Sequence, residues 1–123
     1  MSTESDAARP DPGRPLQPAA LHILLALARG ERHGYALIAD VDELSDGSIR
    51  LGPGTLYGTI KRLLADGLIE EAEERPDPQL DDQRRRYYRL TPAGAAAATT
   101  ELDRLASLVK RGRAAFTPAP KRA

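Results

Sequence analysis

Residues 52–64, GPGTLYGTIKRLL, end like a buried helix but begin with glycine, proline and glycine. At roughly 100° per residue, Leu56, Ile60, Leu63 and Leu64 cluster on one side of a helix, and Gly54, Thr55, Gly58, Lys61, Arg62 and Ala65 fall on the other. Pro53 suits a first helical turn, where its missing N–H has no partner to lose, and Gly67 suits the left-handed position after the last turn. A helix that enters a DNA major groove needs a rigid core-facing side and an outer side free of bulky apolar or acidic groups. No acidic residue interrupts residues 50–65, and Thr55, Thr59, Lys61 and Arg62 supply hydroxyl and cationic donors. The plainer alternative is a solvated amphipathic helix with a basic side. Tyr57 lies at the boundary of the two faces, placed either to pack or to offer its hydroxyl to a phosphate.

The segments around this helix set its context. Residues 18–29, PAALHILLALAR, carry apolar residues around most of a helix that Gly30 stops. Leu37, Ile38, Val41 and Leu44 give the period of a second helix, and SDGSIRLGPG reads as turn chemistry around a short extended piece at residues 49–51. LIEEAEE and RRRYYRL are two short extended segments separated by RPDPQLDDQ, which predicts a hairpin with a long tip. Thr91 then caps a last helix with Pro92 in its first position. Along that helix Ala95, Ala98, Leu102, Leu105, Val109, Gly112 and Phe116 recur at steps of three and four. Such a narrow seam meets another helix, either in a second copy or in its own domain.

The expected fold is mostly α with a small β-hairpin: a winged helix-turn-helix followed by a C-terminal dimerisation helix. The expected segments are a disordered tail (1–17), the winged domain (18–91), the dimerisation helix (92–116) and a second disordered tail (117–123), the tails being rich in proline and charge and without apolar period.

With 123 residues, 41% of them hydrophobic, the chain suffices for one core. Eighteen basic residues balance 18 acidic ones, so any attraction to an anionic partner has to be local. Arg84, Arg85, Arg86 and Arg89 form such a patch on the strand returning from the hairpin tip, where a wing touches a sugar-phosphate backbone. Asp77, Asp81 and Asp82 at the tip would repel phosphates. Tyr87 and Tyr88 point to opposite faces of a strand, so one of them belongs to the core. Zero cysteines exclude disulfides and zinc fingers, and His22 and His33 lack the companions a metal site needs, so packing or capping is the expectation for both. No catalytic constellation, metal, cofactor or membrane-spanning run is expected, and the default location is cytoplasmic.

LLALARGERHGYAL, GPGTLYGTIKRLLADGLI and RRRYYRLTPAG, in that order and spacing, resemble the signature segments of PadR-type transcriptional regulators. The resemblance spans residues 21–94. It implies a homodimeric, mostly repressing regulator that binds a palindromic double-stranded DNA operator and has no catalytic site. It further implies that Tyr35, Thr55, Tyr57, Lys61 and Arg62 face DNA and that Arg84, Arg85 and Arg86 form the basic wing; Gly58 joins the DNA-facing side by its place on the helix, and the seam of the last helix predicts dimerisation through Leu102, Leu105, Val109 and Phe116. Effectors in such proteins, where present, are often aromatic small molecules. Two departures stand out: Gly58 replaces a proline or larger residue, and the wing is longer and more acidic than usual. Those departures, with the neutral net charge, leave a second expectation, a winged-helix protein-interaction module that does not bind DNA.

Overall fold

The computed structural model describes residues 14–72 and 86–118, and within these the chain forms four helices and a three-stranded antiparallel sheet. Helix α1, Pro18–Ala28, is the central element. Ala20, Leu21, Ile23, Leu24, Ala26 and Leu27 are all buried, and the helix touches each of the other three. A helix apolar on most sides has to be covered on most sides, and that places the core around α1.

The chain then makes the one element that the sequence reading missed. Arg32–His33 is a two-residue strand, β1, and the second helix starts only after it, α2 at Gly34–Leu44. His33 caps that helix through its Nδ1, which accepts from the Ala36 N–H at 3.2 Å, as expected of a capping histidine. Leu37 and Val41 of α2 are fully buried. The expected extended piece at residues 49–51 is not a strand; the turn before it runs through Asp46 (φ 52°) and Gly47 (φ 79°), and Leu51 then drops into the core.

Helix α3, Pro53–Ala65, buries Leu56, Ile60 and Leu63 on the side the sequence assigns to the core. Strands β2, Ile69–Glu71, and β3, Tyr87–Leu90, pair antiparallel with Glu70 opposite Arg89, and β1 adds to the far edge of β3, giving the order β1-β3-β2. The expected hairpin is thus present, with a third strand on its flank. Its tip, including Arg84, Arg85 and the three aspartates, lies outside the described residues.

Helix α4, Pro92–Phe116, is fixed at its start by two hydrogen bonds to the turn that follows α3 and by its own N-cap. Thr91 donates its N–H to the Leu68 carbonyl at 3.2 Å and its hydroxyl to the Gly67 carbonyl at 2.7 Å, and its Oγ1 accepts from the Gly94 N–H at 3.0 Å. Gly94 sits so close to the same turn that a Cβ there would stand 1.9 Å from the Leu68 carbonyl oxygen. Further along, the buried Glu101 accepts from the Leu16 N–H at 3.2 Å and from Arg104, tying the segment ahead of α1 to α4. Beyond Leu105 the helix continues for three turns of almost wholly exposed residues.

The expected seam on α4 is divided by this packing. Ala98 is buried in the domain's own core and Leu105 packs partly against it, whereas Leu102, Val109 and Phe116 are exposed, together with Leu108, which lies off the seam. Steps of three and four identify a stripe but not what covers it.

Candidate nucleic-acid interface

The outward side of α3 is built from residues that contribute little bulk. Gly54, Thr55, Gly58, Lys61, Arg62 and Ala65 are exposed, and Lys61 and Arg62 form no ion pair with any described residue. Gly52, Gly54 and Gly58 are informative together. Nothing lies within 4 Å of where a Cβ would stand on any of the three, and none has a positive φ. The fold therefore does not require glycine at these places. A glycine inside a helix costs roughly 1 kcal/mol relative to alanine, so Gly54 and Gly58 weaken α3 with no compensating contact inside the domain.

Gly34 presents the opposite case and explains Tyr57. A Cβ on Gly34 would stand 3.0 Å from Tyr57 Cε1 and 3.2 Å from its hydroxyl oxygen. Tyr57 packs against the core with that oxygen buried, in the space a side chain at position 34 would take. Of the two roles open to Tyr57, the structure shows packing, and a hydroxyl enclosed there does not reach a phosphate. Tyr35, next in the HGY segment, is 44% exposed and lines an open, largely apolar groove of about 500 Å³ with Ile38, Asp42 and Arg50. Arg50 was not among the expected site residues. Its side chain is 83% exposed just ahead of α3 and only loosely paired, 3.8 Å from Asp42, so it adds a third available cation beside Lys61 and Arg62.

The described part of the wing is less free. Arg86 pairs with Glu71 at 3.2 Å, and Arg89 spans the sheet from Glu70 at 2.6 Å to Glu31 at 3.5 Å. The hydrogen bond that Arg89 donates to Glu70 chiefly, with help from Glu31, raises the pKa of the Arg89 guanidinium. Glu70 faces Arg89 directly across the ladder, an opposite-charge pair of the kind that supports a two-strand register. On the neighbouring positions Tyr88 is buried, and that burial pushes its phenol upward, while Tyr87 meets His33 edge to face at 5.5 Å. One tyrosine of the pair belongs to the core, as the alternation predicts.

No group of acidic, histidine or cysteine residues suited to a metal ion exists among the described residues, and no described helix is long and apolar enough to cross a membrane.

Comparison with known proteins agrees with this architecture. Residues 23–100 match the transcriptional regulator PadR-like family. The transcriptional regulator Rv3488 of Mycobacterium tuberculosis is 46% identical over 90 residues, which are 73% of this chain and 78% of that protein. A transcriptional regulator from Clostridium thermocellum superposes with a TM-score of 0.65 at 25% identity, covering 80% of this chain and 92% of that one. A PadR family transcription regulator from Clostridium difficile shares the fold, with a TM-score of 0.64 at 22% identity over 82% of this chain and all of the other. The fold is a winged helix-turn-helix with an added C-terminal helix, and the family consists of DNA-binding regulators rather than enzymes. Matched over residues 23–100 and close to half identical to a regulator of this kind, the chain belongs to the PadR-like family of transcriptional regulators.

Proposed function

We propose that the protein is a homodimeric repressor that binds a palindromic double-stranded operator by laying α3 of each copy in successive major grooves. The observation that carries this reading is the outward side of α3. Three glycines that the fold does not need, flanked by Lys61 and Arg62, let the backbone approach the base edges while cations take phosphates. Thr55 and Tyr35 complete the described contact surface, and Arg50 extends it. Arg84 and Arg85 join it as wing contacts on the strength of the family resemblance. Arg86 contributes less, because Glu71 already holds it.

Substituting Arg62 by alanine tests the phosphate contacts. The affinity is expected to fall for every duplex alike, and the slope of log K against log salt to shrink by about one per protomer. An unchanged slope removes Arg62 from the interface.

The second copy is supported by α4. Its last three turns leave Leu108, Val109 and Phe116 in water, 62%, 53% and 91% exposed, on a helix with no domain beneath it. A lone projecting helix gains no tertiary stabilisation, and a partner helix supplies it. Val109→Asp is expected to give a monomer in sedimentation at micromolar concentration with the thermal unfolding of the winged domain retained, whereas the unaltered chain sediments as a dimer. A monomeric unaltered chain contradicts the pairing. The family resemblance supports release of the operator by an aromatic small molecule.

A further inference from the structure

We infer that Thr59 reads a thymine in the operator through its methyl group and not through its hydroxyl. The inference rests on the proposed placement of α3 in the major groove and names a residue that determines specificity there.

Thr59 sits on the same edge of α3 as Thr55, one turn before it, and Arg62, one turn after, and it directly follows Gly58, beside which there is open space. Its hydroxyl is already committed. Oγ1 donates to the Thr55 carbonyl of the same helix at 2.8 Å. A threonine hydroxyl has a single proton, so this side chain has none to give to guanine O6 or N7, to adenine N7, to thymine O4 or to a phosphate oxygen. What remains for a base is the methyl group and the oxygen's spare lone pair. In the major groove thymine alone carries a methyl at its edge, and threonine methyls pack against it. The bare strip beside Thr59 favours that contact, because van der Waals packing needs the helix surface to come close, and Gly54 and Gly58 permit it.

The consequences separate the methyl from the hydroxyl. Operator duplexes are first selected from a random pool with the unaltered protein, and each thymine is then replaced singly by uracil, which removes only the 5-methyl group. One symmetric position is expected to lose about fourfold in affinity per half-site on that replacement, the worth of one buried methyl. Thr59→Val keeps the methyl shape and drops the oxygen, and is expected to keep the thymine-over-uracil ratio at that position. Thr59→Ser keeps the hydroxyl and drops the methyl, and is expected to bind thymine and uracil operators alike. Loss of the ratio in the valine variant with retention in the serine variant overturns the inference in favour of a hydroxyl contact. Specific binding with no position whose uracil response depends on residue 59 overturns the inference alone. Failure to select any duplex overturns the placement of α3, and this inference with it.

Discussion

Gly94→Ala is expected to unfold the protein or to cost about 3 kcal/mol or more, the largest effect of a methyl added at any described glycine. The added Cβ would meet the Leu68 carbonyl oxygen at 1.9 Å, the Leu68 carbonyl carbon at 2.9 Å and Leu90 Cδ1 at 2.8 Å. Two of these three atoms are backbone held by the Thr91–Leu68 and Thr91–Gly67 hydrogen bonds, so they have little room to give. Relief requires the first turn of α4 to lift from the turn after α3. At roughly 4–8 °C per kcal/mol for a domain of this size, the midpoint of thermal unfolding falls by about 12 °C or more. Gly112, in the same helix with nothing within 4 Å of its absent Cβ, is the control. Gly112→Ala should leave the midpoint unchanged or raise it. Equal midpoints for Gly94→Ala and the unaltered chain would show that the close approach of α4 to Leu68 is not a fixed feature of the fold.

That junction also carries a functional meaning. α4 leaves the domain from the turn that ends α3, so the angle between the helix proposed to pair and the helix proposed to read DNA is set within residues 67–94. In a two-fold dimer this angle governs the distance between the recognition helices, and hence the half-site spacing.

Gly58→Leu is expected to separate stability from binding, and this is the second large effect. No atom lies within 4 Å of the Cβ position, so the side chain projects into solvent, and leucine is the better helix former. The variant should therefore unfold at the same temperature or higher, by up to about 1 kcal/mol of added stability. On DNA the same side chain occupies the space that the base edges need, and specific affinity should fall by about 100-fold or more, toward the non-specific level. Such a result would mean that glycine at position 58 serves the interface and not the fold. Unimpaired binding by Gly58→Leu would mean that α3 does not approach a groove by this face.

The helices were legible because each has a buried side that recurs with the helical period: Leu56, Ile60 and Leu63 on α3 lie where the spacing puts them. Strand β1 was not, for a physical reason. Two residues are too few for alternation, and Arg32–His33 becomes a strand only because β3 offers it an edge. The HGY and TLY segments were recognisable as family signatures, yet their chemistry appears only in three dimensions. His33 caps α2, Gly34 makes room for Tyr57, and of the two tyrosines expected at DNA Tyr57 turns its hydroxyl inward while Tyr35 stays exposed. On α4 the apolar stripe was visible, but its division between the domain's own core and open solvent depends on the angle at which Gly94 lets the helix leave the turn. Glu101 was likewise hidden, since nothing in its local sequence marks one glutamate of a charged helix as buried against the Leu16 N–H.

The central claim is that the bare, basic side of α3 reads DNA. The most direct measurement is a titration of a duplex selected from a random pool, with a scrambled duplex beside it, for the unaltered protein and for Gly58→Leu. The unaltered protein should bind the selected duplex at about 10⁻⁸ M or tighter and the scrambled one at least about 10³-fold more weakly. Gly58→Leu, folded and at least as stable, should lose about 100-fold or more on the selected duplex and leave the scrambled one little changed. Equal, weak binding of the unaltered protein to both duplexes would contradict it and would make protein interaction the better reading of this winged helix.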